Sequence, residues 1–281
     1  SLLLPSAILA SEKCEKALIK SEHSFFVARS GHSIYYEFHR VSDPQAETVV
    51  ISNGLHYEIK NYKDLVKELK RKNVNVLVYA HRSQHESLEE SKKRGIQEVR
   101  DFTLVDLAKD LSELVNSLQI DRPIHLVGLS FGASVATVFA KKFSNRVKSV
   151  SYLAPLVRLA PEFVQARQLR KFWSPFWMGS SGLQEYSIEI EAMLDAIEKF
   201  DLKDAKVRHP VLMVLAEKED GYLKAQQQKV VEDWITGKRD LRAVEILGGE
   251  HSLPTSSPKE LAEILIDFIK NLKLERATDK S

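Results

Sequence analysis

Residues 123–134 read PIHLVGLSFGAS, and this stretch decides the fold. A short apolar segment leads into a turn of small residues, and an apolar helical segment follows. Gly128 and Gly132 flank Ser130 in a Gly-x-Ser-x-Gly pattern, whose small residues let a strand and a helix pass closely. The middle residue sits in a strained turn with its side chain exposed, and the helix N-terminus favours developing negative charge. The pattern therefore predicts that Ser130 is a nucleophile.

Two later segments supply the partners that such a serine needs. A base must take the proton of the hydroxyl, and a carboxylate must fix the tautomer of that base. The predicted strand 211–215 ends in AEKEDG, and the predicted strand 241–247 ends in GGEHSLP. An acid after one strand and His251 after the next give the chain order serine, acid, histidine. We expect His251 to be the general base and later the general acid.

Strand and helix signals alternate along most of the chain. Segments 25–28 and 34–38 flank a short turn and predict a hairpin. The clearest helix carries an apolar stripe at helical spacing, formed by Leu104, Leu107, Ala108, Leu111, Leu114, Val115 and Leu118. A last helix begins at Ser257 with a capping box, and its stripe is Leu261, Ile264, Leu265, Phe268, Ile269 and Leu272. The alternation predicts the α/β class, with a mainly parallel sheet covered by helices on both faces.

With these motifs, the chain resembles the α/β-hydrolase superfamily from about residue 23 to about residue 272. It is most similar to the lysophospholipase and monoacylglycerol-lipase branch. The His-Gly-hydrophobic turn of that branch corresponds here to ISNGLH at 51–56, with Asn53 where histidine is usual. Its Asp-x-Arg-Gly-x-Gly-x-Ser loop corresponds to YAHRSQHES at 79–87, with Ser83 and His85 in place of glycines.

The resemblance suggests the remaining members of the site. Asp220 opens an acid-x-apolar-apolar turn that resembles the family and is the favoured catalytic acid. Counting three residues on from Ala216, where the family usually has glycine, reaches Glu219 instead, and Glu217 is a further alternative.

The oxyanion hole needs two backbone N–H groups, which we expect from Leu55 and Phe131. Gly54 would give the backbone close access to the substrate, and His56 is a candidate pocket residue that could equally face solvent. His81 and His85 resemble a metal pair only superficially, because no carboxylate or cysteine is in register with them.

One interval interrupts the alternation. Residues 156–206 contain helical stretches without a strand signal, and the resemblance implies a helical cap inserted here. Large apolar side chains are concentrated in it, and we expect Trp173, Phe176 and Trp177 to line an acyl or alkyl pocket. The alternative is that these aromatic residues only pack the cap onto the sheet. The predicted organisation is an N-terminal helical extension at 1–22, a core at 23–155 and 207–281, and the cap.

Composition narrows the classes of partner. The formal net charge of +2 gives no electrostatic footprint for nucleic acid, and the single cysteine, Cys14, excludes an intrachain disulfide framework. We expect no cofactor and no metal.

No apolar run has the length of a membrane span. We expect a cytoplasmic protein, or an exported one if residues 1–10 are the remnant of a signal peptide, and this apolar segment makes membrane-surface contact an open alternative.

These features together predict a serine hydrolase that cleaves carboxylic esters with a hydrophobic arm through an acyl-enzyme. Acyl-thioesterase activity and amide, lactone or carbon–carbon bond hydrolysis remain open, since the same three residues serve many substrates. The altered loops also leave open a non-catalytic ligand receptor that has kept the fold. The oligomeric state is not defined by the sequence.

Overall fold

An eight-stranded, mostly parallel sheet organises the part of the chain that the structure describes. The computed structural model describes residues 21–96, 101–156, 164–165, 191–199, 207–235 and 241–278. The strands are β1 Ser21–Val27, β2 Ser33–His39, β3 Thr48–Ser52, β4 Asn75–Tyr79, β5 Ile124–Leu129, β6 Val147–Leu153, β7 Val211–Ala216 and β8 Leu241–Ile246. Their order across the sheet is β1-β2-β4-β3-β5-β6-β7-β8. The β1–β2 and β2–β4 pairs are antiparallel and the other pairs are parallel. The predicted hairpin and the mainly parallel sheet are thereby confirmed.

Helices connect the strands and cover both faces of the sheet. The α-helices with defined bounds are α1 Lys63–Arg71, α2 His85–Lys93, α3 Leu104–Ser117, α4 Gly132–Lys142, α5 Gly221–Ile235, α6 Leu253–Ser256 and α7 Pro258–Thr278. Short 3-10 helices are Ile59–Tyr62 and Ser144–Arg146, and residues 191–198 are also helical. One apolar core layer contains the buried side chains of α3 and α4, and the other contains those of α1, α6 and α7.

The two helical stripes predicted from the sequence lie in these core layers. Every member of the α3 stripe is buried, and its N-terminus carries a capping box between Thr103 and Asp106. In the α7 stripe all residues except the half-buried Ile264 are buried. Burial of an apolar stripe removes it from water and stabilises the helix against the sheet.

Helix α2 is absent from the sequence prediction, and its buried face explains why. That face consists of two serines, Ser87 and Ser91, instead of an apolar stripe. The Ser91 hydroxyl accepts a hydrogen bond from the Ser33 N–H at 2.9 Å, and the Ser87 hydroxyl accepts one from the Tyr35 N–H at 2.8 Å. The helix therefore docks on β2 through polar contacts, which hydrophobic periodicity does not detect.

The parallel strands point their carboxyl ends at one edge of the sheet. The loops after β3, β4, β5, β7 and β8 therefore emerge together, and these loops carry the predicted chemistry. Within the described residues, no helix combines the length and the apolar character needed to cross a bilayer. Most of the predicted cap and the segment 1–20 lie outside the described residues.

Candidate active site

Ser130 occupies a strained turn between β5 and α4. Its φ is +48°, a left-handed value that is uncommon for a residue with a β-carbon. The turn is held in place on both sides, because the Ser130 N–H donates to the Leu153 carbonyl at 2.9 Å and the Ser130 carbonyl accepts from the Leu156 N–H at 3.0 Å. This backbone arrangement lifts the Ser130 side chain off the strand at the carboxyl edge of the sheet.

The flanking glycines are required by close backbone contacts. A β-carbon at Gly128 would lie 2.6 Å from the Cα of Ala133, closer than real β-carbons approach a neighbour. A β-carbon at Gly132 would overlap the carbonyl oxygen of Ser52 at the end of β3. The start of α4 is therefore pressed against the loop that follows β3, and this contact brings Ser130 next to that loop.

His251 pairs with Glu219 at the same edge. The Nδ1 atom of His251, in the loop after β8, lies 2.7 Å from the Oε2 atom of Glu219, in the loop after β7. The Glu219 side chain is only 1% exposed, whereas the imidazole is 39% exposed. Gln227 of α5 donates a second hydrogen bond to the same carboxylate oxygen at 2.9 Å. The structure thus brings a histidine and a buried carboxylate together at the sheet edge from which the predicted nucleophile loop also emerges.

The carboxylate that meets His251 differs from the favoured sequence prediction. Asp220 is exposed, and its backbone N–H donates to the Oε1 atom of Glu219 at 3.1 Å. The prediction of Asp220 as the partner of His251 is therefore wrong by one residue, and the alternative Glu219 occupies that position. Glu219 closes the turn that follows β7, because its N–H donates to the Ala216 carbonyl at 3.3 Å, and α5 begins two residues later at Gly221.

Hydrogen bonds between the loop after β7 and the loop after β8 fix the position of the loop that carries His251. The Gly248 N–H donates to the Oε2 atom of Glu217 at 2.6 Å, and the Lys218 N–H donates to the Gly249 carbonyl at 2.9 Å. Gly248 adopts a φ of +72°, which a glycine tolerates without strain. Glu217, the third candidate acid, thus acts as a clamp between the loops.

The environment of Glu219 keeps it charged. Burial acts to raise the pKa of Glu219, but hydrogen bonds from His251, Gln227 and the Asp220 N–H outweigh burial and hold that pKa below its usual value. An ionised carboxylate only accepts hydrogen bonds, so the Nδ1 atom of His251 carries the proton. In the neutral imidazole, the Nε2 atom is then left with a lone pair, which is the state that a general base requires.

The backbone N–H groups of Leu55 and Phe131 are the two predicted oxyanion donors. Among the described residues, no acceptor takes a hydrogen bond from the N–H of Leu55 or from that of Phe131. Phe131 follows the serine directly and its ring is buried. Gly54 packs against Leu129, the residue before Ser130, since a β-carbon at Gly54 would lie 3.3 Å from the Leu129 side chain. Unpaired N–H groups at such a turn are suited to bind an oxyanion.

A buried polar cluster holds the loop that carries Gly54 and Leu55. The amide of Gln84 donates to the Gly54 carbonyl at 2.7 Å, and its oxygen accepts from the His81 N–H at 3.1 Å and from the Asn53 amide at 3.3 Å. The Tyr62 hydroxyl donates to the Asn53 side-chain oxygen at 2.8 Å. Each of the four side chains is buried, so the cluster is a fixed part of the fold.

His81 has a structural role in that cluster. Its Nε2 atom donates to the Asn53 carbonyl at 3.2 Å, and burial lowers the pKa of His81 to about 3. A neutral imidazole that donates to a backbone carbonyl is no metal ligand on that nitrogen. Among the described residues, no group of three or more histidine, cysteine or acidic side chains is arranged to hold a metal ion.

The remaining predicted binding residues are His56 and three aromatic residues of the cap. His56 has a φ of +50°, and its ring lies edge-on to that of His85 with the centroids 6.2 Å apart. Its contact with substrate stays a prediction. The three predicted aromatic residues Trp173, Phe176 and Trp177 lie outside the described residues.

Two glutamines in the site were missed by the sequence reasoning. Gln84 and Gln227 act through hydrogen bonds to a backbone carbonyl and to a carboxylate, and neither contact has a sequence signature. The only available signal was position, since Gln84 lies in the loop that corresponds to the glycine-rich loop of the resembled family.

Comparison with known proteins identifies the family to which the chain belongs. The family model Hydrolase_4, described as serine aminopeptidase, S33, matches residues 43–184. This stretch covers half of the chain and includes both the loop after β3 and the serine turn, so the chain belongs to this family of α/β-hydrolases. A search of curated proteins gave no match.

Solved structures with the same fold cover most of the chain. A thermophilic esterase from Thermogutta terrifontis is 18% identical with a TM-score of 0.66, covering 89% of this chain and 99% of its own. An enol-lactonase from Burkholderia xenovorans LB400 is 20% identical with a TM-score of 0.67, covering 88% and 100%. A carboxylesterase structure from the thaumarchaeon Nitrososphaera gargenis is 15% identical with a TM-score of 0.68, covering 90% and 100%. At these identities the likeness establishes the α/β-hydrolase fold.

Proposed function

We propose that the protein is a serine hydrolase that cleaves carboxylic esters through an acyl-enzyme. One observation carries the proposal. A serine in a strained strand-to-helix turn and a His251–Glu219 pair emerge from the same edge of the sheet. Nucleophile, base and orienting acid are the three groups that this chemistry needs.

Each residue has a defined step in the proposed reaction. The Nε2 atom of His251 takes the proton of Ser130 as the hydroxyl oxygen attacks the ester carbonyl carbon. The N–H groups of Leu55 and Phe131 stabilise the negative charge that develops on the carbonyl oxygen. His251 then donates its proton to the leaving alcohol, and the acyl group remains on Ser130. Water, deprotonated by His251, attacks the acyl-enzyme, releasing the carboxylic acid and restoring the serine. Glu219 stabilises the imidazolium that forms in both halves of the reaction.

The substrate class follows from the sequence and the fold family. The cluster of large apolar residues at 172–178 supports a substrate with a hydrophobic acyl or alkyl arm, such as a lysophospholipid or a monoacylglycerol. This assignment keeps the protein in the lysophospholipase-like branch that the sequence resembles. Thioesters, amides and lactones are alternative substrates, because all are acyl compounds that the same site can attack.

A matched pair of serine variants tests the proposal. Hydrolysis of p-nitrophenyl esters from acetate to palmitate is measured for the wild type, Ser130→Ala and Ser134→Ala. Ser134 is a buried serine of α4 whose hydroxyl donates to the Leu156 carbonyl at 2.7 Å. We expect Ser130→Ala to lower kcat by at least about a thousandfold and Ser134→Ala to stay within about threefold of the wild type.

Longer acyl chains are expected to raise kcat/KM if the cap lines the pocket. Equal activity of Ser130→Ala and the wild type would overturn the catalytic role of Ser130. A wild-type protein that hydrolyses none of the esters would instead favour the non-catalytic receptor.

A further inference from the structure

We propose that Gln84 is a positioning residue that aims the Leu55 N–H into the oxyanion hole. The proposal rests on the proposed function, because it assigns a role to a residue behind that same hole. Gln84 is not one of the three proposed catalytic residues, and its side chain is completely buried.

Gln84 contacts the peptide unit between Gly54 and Leu55. In a trans peptide, the carbonyl of one residue and the N–H of the next lie in one plane and point in opposite directions. A hydrogen bond to the Gly54 carbonyl therefore also sets the direction of the Leu55 N–H. The Nε2 atom of Gln84 donates to that carbonyl at 2.7 Å.

The peptide unit between Gly54 and Leu55 lies against the loop that carries Ser130. Gly54 packs on Leu129, immediately before Ser130, and the Asn53 carbonyl approaches Gly132 so closely that a β-carbon there would lie 2.8 Å from it. With its carbonyl held by Gln84 on one side, the peptide presents its N–H on the other. Among the described residues that N–H has no acceptor, as an oxyanion donor requires before substrate binds.

The orientation of the Gln84 amide is fixed by its other contacts. Its oxygen accepts from the His81 N–H and from the Asn53 side-chain amide. Both partners are donors in these contacts, so the oxygen must face them and the NH2 group must face the Gly54 carbonyl. The loop that carries Gln84 is also attached to α3, because the Arg82 side chain in that loop pairs with Asp110.

Two variants of Gln84 separate aiming of the peptide from general packing. Gln84→Glu has nearly the same shape and keeps an oxygen for His81 and Asn53, but in its ionised form it places a second oxygen, with no proton to donate, against the Gly54 carbonyl. Gln84→Met keeps the length and has no donor. The control is Ser91→Ala on the following helix, which removes an equally buried polar group that accepts from Ser33 and donates to the Ser87 carbonyl at 2.7 Å.

Two readouts are measured for each variant. The first is steady-state hydrolysis of the p-nitrophenyl ester that the wild type turns over fastest. The second is the inhibition constant of a trifluoromethyl ketone with the same acyl chain as that ester. The adduct of this ketone with Ser130 carries an oxyanion. Thermal unfolding by circular dichroism shows whether each variant is folded at the assay temperature.

Both Gln84 variants should lower kcat by about 10- to 100-fold. The reason is that the Leu55 N–H, which donates to the oxyanion mainly in the transition state, then points in the wrong direction. KM should stay within about threefold of the wild type, and the ketone should bind more weakly by about the same factor as the loss in kcat. Ser91→Ala should keep kcat and the inhibition constant while lowering the unfolding temperature.

Distinct outcomes overturn the role of Gln84 and the proposed function. Unchanged kcat in a folded Gln84 variant, an increase in KM alone, or an equal loss of kcat in Ser91→Ala would refute the aiming role while leaving the hydrolase intact. A wild-type protein that neither hydrolyses the ester nor binds the ketone would refute the proposed function, and the role of Gln84 with it.

Discussion

Glu219 holds the imidazole of His251, whereas the neighbouring Asp220 is exposed. The difference of one residue matters because only the Glu219 carboxylate is buried and receives three hydrogen bonds. Such a carboxylate stays ionised and fixes one tautomer of the histidine.

Glu219→Gln should lower kcat by about a hundredfold or more, because an amide can donate to the Nδ1 atom and stabilise the wrong tautomer of His251. The matched control is Asp220→Asn, which makes the same chemical change one residue away. We expect its kcat to stay within about threefold of the wild type. Steady-state kinetics on one ester measure both variants, and the reverse ranking would restore Asp220 as the acid.

The lowered pKa of Glu219 also predicts how stability depends on pH. A carboxyl whose pKa is lower in the folded state than the ordinary value of 4.5 stabilises the fold above that value. This contribution is lost as the pH falls through the folded-state pKa. The difference in unfolding free energy between the wild type and Glu219→Gln should therefore be constant near neutral pH and shrink as the pH drops below about 4.5. Urea unfolding at a series of pH values measures it, and a difference that grows on acidification would contradict the pairing.

At the scale of elements, the serine turn depends on close packing between β5, α4 and the loop after β3. Gly132→Ala should destabilise the protein by about 2 kcal/mol or more, since the added methyl overlaps the Ser52 carbonyl on a rigid strand end. Activity should fall as well, because the displaced loop carries Gly54.

Gly221→Ala is the matched control, since a β-carbon there has open space within 4 Å and its backbone is not left-handed. We expect its unfolding free energy to stay within about 0.5 kcal/mol of the wild type. Equal behaviour of the two variants in urea unfolding would show that the close approach at Gly132 is absent.

Much of this architecture could be predicted from the sequence, and the exceptions share a physical cause. The parallel strands are short apolar runs, and α3 and α7 carry apolar stripes of period 3.6; both patterns report burial directly. Helix α2 lacks such a pattern because Ser87 and Ser91 form its buried face. The partner of His251 was misplaced because the loop at 217–220 can present either of two adjacent acids, and only its backbone path decides which of them meets the histidine. Gln84 acts on a backbone carbonyl, whose position no side-chain pattern reveals.

At the scale of the whole molecule, a buried ion pair connects the edge that carries the site to the helical layer. Arg82, after β4, donates two hydrogen bonds of 2.7 Å to Asp110 of α3. The two side chains are only 8% and 5% exposed. Burial raises the pKa of Asp110, while the Arg82 guanidinium opposes this rise. A buried charge that lost its partner would therefore weaken the entire fold.

Arg82→Met should lower the unfolding free energy by about 3–5 kcal/mol, because Asp110 is left buried without its partner. The double variant Arg82→Met/Asp110→Leu should recover much of that loss, since no unpaired charge remains. Urea unfolding of the two proteins measures the difference. A double variant that is no more stable than Arg82→Met would show that the charge is not the source of the loss.

Ser130 is the proposed nucleophile, and it should form a covalent bond with a reagent that mimics the ester. Reaction with a fluorophosphonate forms a bond between phosphorus and an activated serine oxygen and releases fluoride. Intact mass and peptide mapping should show one adduct on the wild type, located on Ser130, and none on Ser130→Ala. An unlabelled wild-type protein, or an adduct that persists at another residue in Ser130→Ala, would contradict the account.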